Sequence, residues 1–202
     1  MHDLGRNEDR LRGTYEFPFE FHHIDSSHPR YVMSYHWHVE CEIMRVLQGT
    51  LTVTLDEKSF TAKAGDVIFV NSGVLHSGIP QDCIYQCIVF DMNMFLKFNS
   101  VCTEYMQKIS HQELLIYHHF TEKQPDIRRA VNSLFDSFWQ RKPGYELVVF
   151  GQFYHFFGLV FGNHYYLESL RKTRRDYKRI VQLKQVVEFI EKNYASPITL
   201  QE

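Results

Sequence analysis

The chain has 202 residues, of which 44% are apolar and 23% are charged, so it can bury the core of one sizeable domain and part of a second. Its net charge of −2 gives no reason to class the whole molecule as a nucleic-acid-binding protein, and four cysteines do not make a disulfide framework at this length. Neither the charged N-terminus (MHDLGRNEDRLRG) nor the apolar stretch 145–167, which contains Glu146, His155 and Asn163, predicts a secretory signal or a membrane span. We therefore expect a cytoplasmic chain.

Short strands are predicted from Gly13 to about Phe90. The stretch TYEFPFEF (14–21) alternates apolar and polar residues, and LTVTL (51–55) places three apolar side chains on one face. The continuous apolar run DVIFV (66–70) is typical of a strand that is covered on both faces. Several short strands at this spacing predict a sandwich or barrel.

Helices are predicted from about Asn93 onwards. One helix has its apolar residues at helical spacing and ends at KPG (142–144); these residues are Ile127, Val131, Leu134, Phe135 and Phe138. A second helix, roughly 145–162, is apolar on nearly every side and must be buried against something. It either mediates dimerisation or caps the strand domain, and the sequence leaves both alternatives open.

A basic amphipathic helix is predicted over 171–192, a stretch that contains eight Lys and Arg residues and only three acidic residues. The final residues TLQE (199–202) have the spacing of a capping box, which opens a further helix. Because a helix of one turn is marginal, we expect the chain to be a piece of a longer protein. We divide it into a strand domain (1–92), a helical dimerisation or linker region (93–170) and the start of another domain (171–202).

The stretch YHWHVECEIMRVLQG (35–49) contains the main candidate site. On a continuous strand His36, His38 and Glu42 would share one face with Met44, whereas Trp37 and Arg45 would point to the opposite side. A second stretch, GDVIFVNSGVLH (65–76), adds two glycines and a histidine. The candidate ligand-binding residues are therefore His36, His38, Glu42, Met44 and His76.

The spacing H-x-H-x3-E-x6-G followed by G-x7-G-x2-H resembles the signature of the cupins, which are small double-sheet jelly rolls. The chain departs from that signature at Asn71, where the family usually has proline, and at Pro80, where it usually has asparagine. The resemblance implies that one divalent ion, Zn, Ni, Mn or Fe, is held by His36, His38, Glu42 and His76. A polar sugar-binding floor and histidines that satisfy one another through hydrogen bonds are the alternatives.

Together with VVEFIEKNYASPITLQE (186–202), the cupin-like stretch resembles the AraC family of transcription regulators. The resemblance implies an α+β chain: a cupin-type β jelly roll, a helical dimerisation or linker segment, and the first helix of a helix-turn-helix domain. It also implies a homodimer that binds a small-molecule effector, expected to be a carbohydrate, and controls DNA binding by recognition helices absent from these 202 residues. A metal-dependent cupin enzyme, such as a dioxygenase or sugar isomerase, is the alternative function. We expect Tyr15, Phe17 and Phe19 to pack in the core rather than line the pocket.

Overall fold

The computed structural model describes residues 6–7, 12–97, 101–169, 182 and 186. The strands are β1 (Arg6–Asn7), β2 (Phe19–Ile24), β3 (Met33–Trp37), β4 (Cys41–Leu55), β5 (Lys58–Lys63), β6 (Val67–Val70), β7 (His76–Phe90), β8 (Leu114–Ile116), β9 (His119–Phe120) and β10 (Tyr166–Glu168). A 3-10 helix at Met92–Leu96 precedes the α-helices α1 (Thr103–Ser110), α2 (Pro125–Gln140) and α3 (Tyr145–Gly162). The predicted helix at the end of the chain, 199–202, lies outside the described residues, as does most of the predicted basic helix.

The two 15-residue strands β4 and β7 form the centre of the molecule. They pair in antiparallel register from Cys41 opposite Phe90 to Leu55 opposite His76. In the eight-stranded sheet, β2 and β3 pair with β7, and β5 and β6 pair with β4. The described chain is thus mostly β-structure with three α-helices, which is compatible with the predicted cupin-type jelly roll.

The central ribbon bends at Gly49, where the β4–β7 register is irregular. Gly49 has a φ of +67°, and a Cβ at this position would collide with the backbone carbonyl of Asp82 on the opposite strand. Glycine is therefore required here for two reasons, its positive φ and the close approach of the second strand. The bend separates the part of β4 that pairs with β6 from the part that pairs with β5.

The sheet has a hydrophobic core on each face. The inner core, which the strands enclose, consists of Ile24, Met44, Val46, Leu51, Val53, Leu55, Ala62, Ile68, Val70, Cys83, Tyr85 and Cys87. The outer core lies between the other face of β4, β6 and β7 and the helices, and it includes Ile43, Phe69, Phe90, Phe135 and Phe156. Successive residues of β6 alternate between the two cores, which confirms the predicted strand with both faces covered.

The helices α2 and α3 occupy the predicted segments. Arg141, with a φ of +45°, ends α2, and Gly144, with a φ of +80°, precedes α3. One face of α3 packs in the outer core through Phe153, Phe156 and Phe157. The opposite face is exposed, so the described chain covers only one side of this apolar helix, and the predicted alternatives of capping and dimerisation both stay open.

The regions on either side of residue 92 share the outer core. Strand β9 lies in the segment predicted to be helical, yet it pairs with β6 in the main sheet. At the N-terminal end, TYEFPFEF forms a strand only from Phe19 onwards; Phe17 and Phe19 contribute to the outer core as expected, whereas Tyr15 is 79% exposed. None of the described helices is both long enough and apolar enough to cross a membrane.

Candidate functional site

The candidate site is assembled from two strands and the connection between them, not from one continuous strand as predicted. Strand β3 ends at Trp37 and β4 begins at Cys41, so His38 lies in the connection. The backbone N–H of Gly73 donates to the carbonyl of His38 at 2.9 Å, and the Ser72 hydroxyl donates to the carbonyl of Val39. The stretch 65–76 therefore fixes the position of His38 in the stretch 35–49.

Four predicted ligands converge at this point: His36, His38, Glu42 and His76. One ligand atom from each lies within 4.8 Å of the others. His36 and His76 are direct cross-strand partners on β3 and β7, and their ring centroids are 4.1 Å apart. His38, Glu42 and His76 are buried and His36 is partly exposed, so the cluster is open on the His36 side.

Each of the three histidines uses its Nδ1 in the same way, as a hydrogen-bond donor to a backbone carbonyl two residues away. These bonds join His36 to Ser34 (2.9 Å), His38 to Glu40 (3.0 Å) and His76 to Val74 (2.8 Å). A carbonyl oxygen only accepts, so the proton of each neutral ring must be on Nδ1. The lone pair is then on Nε2, which is the arrangement of a metal-ligating histidine.

The Nε2 atoms of His38 and His76 approach the same carboxylate oxygen. Oε2 of Glu42 lies 3.2 Å from His76 and 3.5 Å from His38, and within the described chain Nε2 of His38 has no hydrogen-bond partner. Burial disfavours the charged carboxylate, but when His38 and His76 are protonated, their hydrogen bonds and positive charge outweigh this and hold the pKa of Glu42 well below its usual range. An anionic oxygen that faces two lone pairs requires a cation between them, either a proton or a metal ion.

The cluster lies on the wall of a cavity of about 370 Å³. The charged and imidazole side chains that line the cavity are Arg12, His22, His28, Arg30, His36, His38 and Glu42. Arg12 and His38 are buried, whereas Arg30 and Val32 are exposed at the mouth. The arrangement can therefore bind a small molecule against the metal-ligand cluster while leaving one side open to solvent.

The remaining predicted site residue, Met44, is fully buried in the inner core below Glu42. Arg45 points to the opposite face, as the strand parity predicted. Its guanidinium donates to Gln86 at 2.9 Å, to Asn132 at 3.2 Å and to Asp136 at 2.9 Å, and it lies 5.0 Å from the centroid of the Phe135 ring. Trp37 is buried, with 3% of its surface exposed.

Several cavity residues were not found from the sequence. Arg12 and Arg30 lie in irregular segments where no periodicity marks a side chain as inward-facing. Tyr85 and Cys87 could have been found, because residues 83, 85 and 87 alternate along one face of β7 and enter the inner core. Burial and the charge of Glu42 raise the pKa of the Cys87 thiol, so Cys87 lines the cavity as a neutral thiol.

Comparisons with known proteins find similarity over most of the chain. A family model described as AraC-like ligand binding domain matches residues 18–147, more than half of the chain. A Bacillus subtilis (strain 168) protein named uncharacterized HTH-type transcriptional regulator YdeC is 24% identical over 173 residues; the match covers 83% of this chain and 58% of that protein.

Two solved structures show shorter, more distant similarity. A single-residue variant of Bacillus subtilis oxalate decarboxylase is 24% identical with a TM-score of 0.28, over 30% of this chain and 18% of that one. A Streptococcus pyogenes protein of unknown function is 15% identical with a TM-score of 0.31, over 36% of this chain and 62% of that one.

Proposed function

Because the chain belongs to the AraC-like ligand-binding domain family, we propose that it is the effector-sensing part of a transcription regulator that acts in the cytoplasm. The observation that carries the proposal is the cavity of about 370 Å³ whose wall includes His36, His38 and Glu42. Its volume falls within the range of small-molecule sites. The similarity to a helix-turn-helix regulator, of which the chain spans 58%, supports the same role.

The four-ligand cluster suits one divalent ion, for which we propose Zn, Ni, Mn or Fe. Three Nε2 lone pairs and one carboxylate match the donor set of these ions, and the Nδ1 hydrogen bonds hold the rings in place. A bound ion supplies positive charge and open coordination positions to a ligand. The four side chains would hold the ion on the cavity wall and exclude water from its buried side.

The proposed effector is a carbohydrate or a molecule derived from one, and the proposed output is DNA binding by a C-terminal domain outside the described residues. The effector changes the output only if it binds one arrangement of the regulator more tightly than the other. Strand β4 links the cavity to helix α2, since Glu42 lines the cavity and Arg45, three residues later, is hydrogen-bonded to α2.

The regulator is proposed to act as a homodimer through the outer face of α3, which we define as Leu147, Val148, Gly151, Tyr154, His155, Gly158 and Gly162. Leu147 is 80% exposed and Val148 is 47% exposed, and this face carries no Asp, Glu, Lys or Arg. A Cβ at any of the three glycines would meet no described atom within 4 Å. Gly151 and Gly158 flank Tyr154 along the helix, so in a two-fold pair each ring fits a gap in the other copy.

Transcript measurements in the source organism test the proposed function. We expect a defined set of transcripts to change when the gene is deleted, and the same set to lose its response to the carbon source in a Glu42→Gln strain. An Arg129→Gln strain, altered on the exposed surface of α2 away from the cavity, is the control. Identical transcripts in the wild-type and deletion strains, across a panel of sugars and sugar acids, would show that the protein is not a regulator.

A further inference from the structure

Strands β8 and β10 form the last strand pair before the C-terminal part of the chain. Leu114–Ile116 pairs with Tyr166–Glu168, and the backbone N–H of Ser169 donates to the carbonyl of Glu113 at 2.8 Å. Within the described residues these two strands pair with each other and not with the main sheet. A ribbon of two such short strands is marginal by itself, so contacts with the rest of the molecule determine whether it stays paired.

Asn71 holds β8 from the side of the cavity. Its side-chain amide donates to the carbonyl of Ile116 at 2.8 Å, and its side-chain oxygen accepts from the N–H of Ile116 at 3.0 Å. Asn71 is 3% exposed, so moving β8 away would break both hydrogen bonds in a buried environment, which is costly. One side chain thus pairs with β8 as a neighbouring strand would.

Gln112 makes a second connection to the same turn. It lies between α1 and β8, is 2% exposed, and donates from its side-chain amide to the carbonyl of Ser72. Its φ of +56° is in the left-handed region, which is unfavourable for a residue with a side chain. The buried hydrogen bond to Ser72 offsets that cost and fixes the start of β8.

The turn 71–73 that contacts β8 also holds the candidate site. The Ser72 hydroxyl donates to the carbonyl of Val39, and the N–H of Gly73 donates to the carbonyl of His38 at 2.9 Å. Hydrogen bonds therefore run without a gap from His38, on the cavity wall, through this turn to β8 and from β8 to β10.

From these contacts we propose that Asn71 and Gln112 are positioning residues, which couple the cavity to the strand pair that leads into residues 170–202. The inference rests on the proposed function, because it names the path from the effector to the output. A ligand at the cavity wall binds best when the turn 71–73 holds His38 in place, and that turn is held when β8 and β10 are paired. By linkage, the bound ligand stabilises the β8–β10 pair, from which the chain continues at residue 170.

Amide hydrogen exchange, measured by NMR on the 202-residue chain, tests this coupling without any ligand. Leu167 pairs with Leu115 and is 61% exposed, so Leu167→Pro opens the ribbon without removing a core side chain. We expect it to raise the exchange rate of the Gly73 amide, at the other end of the path, by at least about fivefold. Thr61→Pro, at an exposed position of β5, is the matched control and should leave that rate unchanged.

The same measurement in an Asn71→Ala background separates coupling from a purely structural role. Asn71→Ala cuts the path, so adding Leu167→Pro should raise the Gly73 exchange rate by less than about twofold, whereas independent effects would multiply in full. Circular dichroism checks that the variants are folded. Gln112→Ala, which cuts the second connection, should reduce the effect of Leu167→Pro in the same direction and serves if Asn71→Ala does not fold.

The inference is overturned if Leu167→Pro leaves the Gly73 rate unchanged or if Thr61→Pro raises it equally. It is also overturned if Leu167→Pro acts as strongly in the Asn71→Ala and Gln112→Ala backgrounds as in the wild type. The proposed function fails by a different result: DNA binding by the natural gene product that no cavity ligand changes.

Discussion

The hydrogen bonds of the three site histidines determine what can lie between them. With each Nδ1 donating to a backbone carbonyl, the Nε2 lone pairs of His38 and His76 face the carboxylate of Glu42 at 3.5 and 3.2 Å. Without a cation these acceptors repel one another, and His38 is left with a buried nitrogen that has no hydrogen-bond partner in the described chain. A divalent ion at the centre would remove both costs, because each acceptor would then be a ligand.

Glu42→Gln tests this arrangement at the scale of one residue. The amide keeps the shape of the side chain but loses the charge, so we expect the rise in Tm that Mn, Fe, Ni or Zn gives the metal-stripped chain to disappear. Thermal unfolding with each ion in turn is the measurement. His28→Gln should keep the wild-type response. A metal-dependent rise in Glu42→Gln equal to that of the wild type would contradict the proposed metal centre.

At the scale of elements, Arg45 links strand β4 to the helical layer. Its partners are Gln86 on β7 and Asn132 and Asp136 on α2, and its charge lies over the Phe135 ring. Gln86 in turn bonds to Nδ1 of His23 on β2 at 2.9 Å. One buried arginine thus joins two strands of the cavity wall to α2, on the side of the sheet opposite the cavity.

We expect Arg45→Met to destabilise the chain by about 2–3 kcal/mol. The side chain of Asp136 is 56% exposed, so solvent screens the ion pair and most of the loss comes from leaving the buried Gln86 amide without its donor. Urea unfolding measures the difference. As a control, Lys63→Met breaks the exposed pair with Glu122 and should cost less than about 1 kcal/mol. Equal losses in the two variants would contradict the linking role of Arg45.

At the scale of the whole molecule, the outer face of α3 is an uncharged helix surface that the described chain leaves uncovered. We expect the wild-type chain to sediment at twice its monomer mass and Gly158→Glu to sediment as a monomer, since a carboxylate buried in an apolar interface is strongly disfavoured. Ile79→Glu, at a 65%-exposed position on β7, is the control and should remain a dimer. Circular dichroism checks that both variants are folded. A dimeric Gly158→Glu would place the interface elsewhere.

The sequence predicted the periodic parts of the fold, but not the contacts between distant segments. Spacing was sufficient for α2, α3 and the doubly covered strand β6, and the cupin resemblance pointed to the four side chains that converge, whose role as metal ligands stays a prediction. Spacing did not reveal that β3 ends at Trp37 and that His38 lies in a connection between strands. That connection is held by hydrogen bonds from Ser72 and Gly73, which lie more than thirty residues further along the chain. Asn71, which departs from the cupin proline, uses its side-chain amide to pair with the backbone of Ile116 at 2.8 and 3.0 Å, a role that local sequence cannot show.

The response of DNA binding to a cavity ligand tests the central claim most directly. Fluorescence anisotropy would measure the affinity of the natural gene product for the DNA upstream of its own gene, with and without the compound that binds the cavity most tightly. We predict a change of at least about fivefold for the wild type and no change for Glu42→Gln, with Arg129→Gln, on the exposed surface of α2, behaving as the wild type. An affinity that is the same with and without ligand, or a Glu42→Gln response equal to that of the wild type, would contradict the assignment of this cavity as the sensor of a transcription regulator.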